Sequence, residues 1–308
     1  MSSGLAGNRE AKIKGLKELT NTYTDSNLKD DALFELAATY TSKDNISKAN
    51  TVYNTLLKEV PQSSYTPSVI LRQGLLYYGQ GKNTKALAKF KDVVAKYPNS
   101  NESRQAVTNA RHVYVDLGKV NEYAAWVKKL DFVNLSNSEI DNTTYEAAEN
   151  KFLENDSEKA ITGFETYLNN FPNGLHANKA NFYLAKLLFK KGLKEEATPH
   201  FLYVINLKKN QFSEESLAKM SQIYLEDEDW KNGIQLLERL EKEANLDQNR
   251  IFAQSNLMKG YYNNEQYDKA VEFAEKVLSN GKIDQIVGED ARIIIARSAI
   301  KTNDFVSA

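Results

Sequence analysis

The stretch FETYLNNFPNGLHANKANFYLAKLL, residues Phe164 to Leu188, decides how this chain is to be read. It holds the end of one helix, a Phe171-Pro172-Asn173-Gly174 stop, and the apolar face of the next helix. Proline cannot continue a helix, and Asn and Gly take up turn conformations at little cost. The stretch is therefore a junction between two helical units, and the rest of the chain is organised as copies of it.

The copies show in a series of small residues: Ala49, Ala86, Ala160, Ala197, Gly233 and Ala270, spaced by 37 residues or a multiple of it, with one step of 36. Tyr123 fills the skipped position. A second series lies twelve residues earlier: Ala37, Gly74, Arg111, Ala148, Ala185, Ser221 and Met258. Four residues after the first series stand Tyr53, Phe90, Val127, Phe164, Phe201 and Leu237, with Ala274 as the last copy. Three after the second stand Tyr40, Tyr77, Tyr114, Lys151, Leu188, Tyr224 and Tyr261. Spacings of three and four put residues on one helix face. Each unit then reads as a helix A and a helix B, crossing closely at the small residues while aromatic rings fill the wedge between them. Short polar turns such as Tyr78 to Asn83 join A to B. Pro61, Pro98 and Pro172 fall after helix B. A fixed period of this size signals a solenoid.

These residues resemble the tetratricopeptide repeat family, whose signature combines small, aromatic and proline positions over about 34 residues. Leu36-Ala37 with Tyr40, Ala49, Tyr53 and Pro61 carry the likeness, as do Gly74 with Tyr77, Ala86, Phe90 and Pro98. Ala160, Phe164 and Pro172 continue it, followed by Leu184-Ala185 with Ala197 and Phe201, and by Leu257-Met258 with Tyr261 and Ala270. The resemblance implies an all-α, right-handed superhelical solenoid of antiparallel helix-turn-helix repeats. The longer period places the extra residues at the end of helix B and in the B-to-A connection. In that respect the chain looks like the longer repeats of bacterial cell-envelope proteins of flavobacterial type, which implies a periplasmic or outer-membrane-associated setting.

The reading divides the chain into a disordered tail (residues 1–8), a half-repeat supplying a helix B (9–28), repeats one to three (29–141), repeats four to seven (142–286) and a closing half-repeat supplying a helix A (287–308). The third repeat departs from the pattern. Arg111 and Tyr123 replace small residues, Leu135 replaces the proline, and Phe132 to Asp141 forms a polar connection, so a local change of twist or a sub-domain boundary is expected there. Thr24-Asp25-Ser26 stands where Pro172-Asn173-Gly174 stands later, and Ala308 falls where a further helix B would start. The chain is therefore expected to be a segment of a longer repeat protein. No basic and apolar leader opens it, and no apolar run approaches membrane-spanning length.

The balance of 40 Lys+Arg against 41 Asp+Glu excludes nucleic-acid binding through a net basic field. The absence of cysteine excludes disulfides and thiolate chemistry. His112, His176 and His200 have no second ligand at metal spacing, no glycine-rich phosphate loop or serine elbow occurs, and Glu226-Asp227-Glu228-Asp229 reads as a solvated turn rather than a calcium loop. No enzyme activity, cofactor or metal is expected, and the partner class is a protein or peptide.

In the resembling family the inner wall is built from helix A. By phase this places Tyr145, Glu146, Glu149, Phe152, Phe182, Tyr183, Lys186, Phe189 and Lys190 on that wall, with Leu71, Arg72, Tyr78 and Tyr262 flanking. The same rings serve equally as packing between neighbouring A helices. The family's lysine–asparagine carboxylate clamp is absent, since Phe34 and Ala38, then Leu71 and Leu75, hold its positions. The function implied is a scaffold that binds a partner segment. A carbohydrate-binding outer-membrane component on similar helices is the alternative, although the even spacing leaves no room for the insertions it needs.

Overall fold

The computed structural model describes residues 2–23, 26–134 and 136–302, with side chains from residue 9 onward. Thr24, Asp25, Leu135 and Ala308 lie outside the described residues. Two compact units make up the chain, residues 1–150 and 151–308, and the division falls inside the fourth helix A. No strand occurs among the described residues.

The first unit opens with α1 (Ser2–Thr22), which takes in most of the stretch read as a tail. Three A–B pairs follow: α2 (Lys29–Ser42) with α3 (Ile46–Glu59), α4 (Thr66–Gly79) with α5 (Asn83–Lys96), and α6 (Asn101–Asp116) with α7 (Val120–Val127). Helix α8 (Asn137–Leu153) is the fourth helix A. The second unit begins within the last turn of α8 and holds α9 (Ser157–Asn170), then α10 (Ala177–Lys190) with α11 (Lys194–Asn206). After these come α12 (Ser213–Glu226) with α13 (Trp230–Glu243), and α14 (Asp247–Asn263) with α15 (Tyr267–Leu278). Helix α16 (Gln285–Thr302) is a closing helix A. The described residues form an all-α array of TPR-like helix pairs.

The phase read from the sequence is the packing phase. Ala49, Ala86, Ala160, Ala197 and Ala270 are wholly buried, as are Ala37 and Ala185 in the other series. At Gly74 even a methyl group is too large. A methyl group on Gly74 would sit 2.5 Å from the ring of Phe90, which is itself fully buried. Tyr53, Phe90, Phe164, Phe201 and Leu237 fill the wedges.

Each A-to-B turn closes in one way. The last helix-A residues are followed by one in the left-handed region: Asp44, Gly81, Gly118, Asn155, Gly192, Glu228 and Glu265, with φ between 55° and 81°. The next N–H reaches back to the carbonyl of the Tyr40 series, at 2.8–3.0 Å in all seven repeats. This 6→1 bond satisfies a carbonyl that the helix end would leave open. That same residue then begins helix B. Where the left-handed residue is Asp44, Asn155 or Glu228, its successor is Asn45, Asp156 or Asp229, whose side chain caps the new helix. Where it is glycine, Lys82, Lys119 or Leu193 follows without capping. Glu265 and Gln266 supply neither glycine nor a capping side chain.

The third repeat departs where the sequence does. Helix α7 has 8 residues against 14 in α3 and α5. Arg111 reaches over to α8, donating to Thr143 Oγ1 at 2.9 Å and pairing with Glu146. Tyr123 packs on Tyr114 at 5.9 Å between ring centroids. Helix α8 starts on a reciprocal box in which Ser136 N donates to Glu139 and Glu139 N donates to Ser136 Oγ. Those hydrogen bonds from Ser136 hold the Glu139 carboxyl below the usual range.

Candidate functional site: the helix-A faces

The A helices of successive repeats meet through residues of two kinds. Polar links tie equivalent heights of neighbouring helices: Ser68 to Glu102 at 2.6 Å, Tyr78 to Asp116 at 2.6 Å, Lys259 to Asp290 at 2.6 Å. Aromatic stacks fill the space between. Phe34 stacks on Tyr65 at 4.4 Å, and four repeats later Phe182 stacks on Phe212 at 4.6 Å. In each case the first ring lies on one helix A and the second stands just before the next.

The residues that the sequence places on this wall are distributed as follows. Tyr145 is 3 % exposed, and its hydroxyl donates to Glu149 Oε1 at 3.0 Å. Phe152 stacks on Tyr183 at 4.5 Å and meets Phe164 edge-on at 6.3 Å. Phe182 is 5 % exposed beneath Phe212, with Lys186 Nζ 5.1 Å over its ring and paired to Glu215 at 2.9 Å. Phe189 lies edge-on to Phe201, covered by Lys219 at 4.9 Å. Lys190 is exposed. In the first unit Arg72 lies over Phe34 at 4.9 Å. Burial and the hydrogen bond to Asp116 push the Tyr78 hydroxyl up to about 12. Tyr262 packs edge-on to Tyr267 and lines a recess of about 310 Å³ with Trp230 and Ile293. Phe152, Phe182 and Tyr183 thus form one packed cluster with Phe212, while Arg72, Tyr78 and Tyr262 stand apart from it.

One junction further along, the stack is missing. Ala218 stands 36 residues after Phe182 and Asn249 stands 37 after Phe212, so the two positions that hold rings between α10 and α12 hold a methyl and an amide between α12 and α14. A groove of about 470 Å³ opens there, lined by Glu215, Ala218, Lys219, Leu246, Asn249 and Phe252 among others. Leu246 is 60 % exposed at its mouth. Its far edge is fixed by Glu214, which accepts from Asn245 N and Leu246 N at 3.0 Å and from the Asn249 amide at 2.8 Å. Partial burial pushes the Glu214 carboxyl up, but these three donors outweigh it and hold it below its ordinary value. Lys219 and Glu215 put opposite charges on the rim. The groove offers apolar anchors inside polar edges, the composition of a peptide-binding surface.

Helix-A phase alone does not reach Leu246, Asn249 and Phe252. The signal that finds them is the column across repeats, where Ala218 follows Tyr145 and Phe182 and Asn249 follows His176 and Phe212.

His200 and the acidic turn have structural partners. His200 Nδ1 lies 2.7 Å from Asn181 Oδ1, and burial pushes the imidazole down. Asp229 in the acidic turn caps α13 through Asn232 N. No group of three His, Cys, Asp or Glu that could hold a metal occurs among the described residues. No helix among them is long and apolar enough to cross a membrane.

The family model for the tetratricopeptide repeat matches residues 31–63 and 68–100. The matched residues are the first two A–B pairs, α2 with α3 and α4 with α5. Among solved structures, it is similar to a tetratricopeptide repeat protein from Parabacteroides merdae, at 15% identity and a TM-score of 0.34, over 86% of this chain and 98% of that one. The C-terminal part of a TPR repeat-containing protein from Cytophaga hutchinsonii is similar at 17% identity and a TM-score of 0.41, over 83% and 98%. No curated protein matches.

Proposed function

We propose that the chain is a protein-interaction scaffold that holds an extended or helical segment of a partner against the A helices of its second unit. Tetratricopeptide repeats are in general protein-binding modules. The observation that carries the particular reading is the open groove between α12 and α14, where the stack that closes the preceding junction is replaced by Ala218 and Asn249. An apolar side chain of the partner would seat on Ala218, Leu246 and Phe252, and the rim charges Lys219 and Glu215 would fix its direction. The exposed edges of Tyr183, Phe189 and Lys190 extend the same face toward α10. The resemblance of the long B-to-A connections to those of envelope repeat proteins supports a bacterial cell-envelope setting for that partner.

Peptides selected by display against the full chain provide the test. Amide resonances of Ala218, Lys219, Asn249 and Phe252 should shift on binding, and Leu246→Asp should weaken the selected peptides about tenfold, equivalent to about 1.4 kcal/mol. Shifts confined to other faces, or binding of glycans in place of peptides, would overturn the reading. Fractionation of cells producing the tagged parent protein tests the setting.

A further inference from the structure

A second recess, in the first unit, has different chemistry. It measures about 430 Å³ and lies between α1, the end of α2 and the start of α3. Lys14 and Lys17 of α1, Lys43 of the A–B turn and Lys48 of α3 surround it, all exposed, against a single carboxylate, Glu10. Glu10 lies 3.3 Å from Lys43. Lys14, Lys17 and Lys48 have no ion-pair partner among the described residues. Lys17 and Lys48 sit 5.9 and 5.8 Å from the ring centroid of Tyr40, which attracts both ammonium groups. The first turn of α3 carries no acidic residue, so the positive end of its dipole adds to the same field.

Part of this arrangement recurs. Lys85 lies over Tyr77 and Lys269 over Tyr261 at the same place in their repeats. A lysine on that tyrosine is thus an element of the A–B turn. Particular to the first repeat is that α1 adds Lys14 and Lys17 and encloses the space. In a chain of net charge −1, four lysines about one recess with one acid is a local excess.

We infer that this recess docks an acidic segment of a protein partner, its carboxylates meeting Lys14, Lys17, Lys43 and Lys48. The ammonium groups come from three elements around an open space, without an arginine fork. That arrangement fits the spaced carboxylates of a chain better than one compact dianion. The site lies apart from the α12–α14 groove and does not depend on it.

The test is fluorescence anisotropy of a labelled Asp/Glu-rich peptide with the full chain, at low and at physiological salt. Saturable binding that weakens with salt is expected, with a loss of about tenfold or more in Lys14→Glu/Lys17→Glu. Lys231→Glu/Lys242→Glu, on an exposed face of α13, should bind as the parent does, and melting curves should show all variants folded. Leu246→Asp should also bind the acidic peptide normally, which separates this site from the groove. Equal losses in both charge-reversed pairs, displacement of the peptide by millimolar inorganic phosphate, or tighter binding to RNA or phosphatidylserine vesicles would each overturn the inference.

Discussion

Two neighbouring junctions of the second unit use the same geometry to opposite ends. Between α10 and α12, Phe182 stacks on Phe212, Tyr183 packs beside them, and Lys186 covers the ring and pairs with Glu215. Between α12 and α14 the same two positions carry Ala218 and Asn249, and a carboxylate, Glu214, makes the connection in place of the rings. The first junction is closed by packed rings and an ion pair. The second is held by hydrogen bonds to a charge and leaves space. A repeat array can therefore open a groove by removing side chains at one phase, without inserting any backbone.

The largest expected effect comes from breaking the filled junction. Phe182→Ala removes a nearly buried ring and should destabilise the second unit by about 3 kcal/mol, measured by urea unfolding. Filling the open junction is the converse. Ala218→Phe with Asn249→Phe should restore a stack worth about 1 kcal/mol while losing the Asn249 bond of similar worth, leaving stability nearly unchanged. Groove-selected peptides should then bind about tenfold more weakly, by titration calorimetry, or about 1.4 kcal/mol.

Acid separates the two junctions without mutation. The Glu214 carboxyl is depressed in the folded chain, so its contribution is complete above the unfolded value near 4.5 and is lost as pH falls through the folded value. Amides at the start of α14 should exchange faster at low pH, while those of α10 that pack under Phe212 hold their protection. Replacing the charge by Glu214→Gln should cost about 1 kcal/mol at neutral pH and abolish that difference. The smallest effect concerns the frame of the open junction. Helix α10 ends on Gly192, but α14 ends on Glu265 in the same left-handed turn, with no cap after it. Glu265→Gly should raise stability by about 0.5 kcal/mol, the relief of left-handed strain exceeding the entropy that glycine adds to the unfolded chain.

The architecture was almost entirely legible because burial repeats along the chain. Ala49, Phe90 and Ala185 each occupy the position that their spacing assigns, and the number of helix pairs follows from counting those positions. The irregular third repeat was legible for the same reason, since Arg111 and Tyr123 are too large for the columns they occupy. The groove was harder to see. Whether a ring on helix A packs or stays open depends on a residue about thirty positions later, just outside the next helix, and Phe212 stands there for Phe182. Helix phase lists the first member of such a pair and passes over the second. The left-handed turn shows the same limit. Its glycines announce it at positions 81, 118 and 192, whereas Glu228 and Glu265 adopt it only because the surrounding 6→1 bonds require it.

The seven turns have a mechanical consequence. Each repeat closes on its own hydrogen-bonded corner, so a tether pulled along the chain would meet a series of similar clasps. A released period of 37 residues lengthens the tether by up to about 130 Å, less the thickness it had when folded. Extension would then come in near-equal increments.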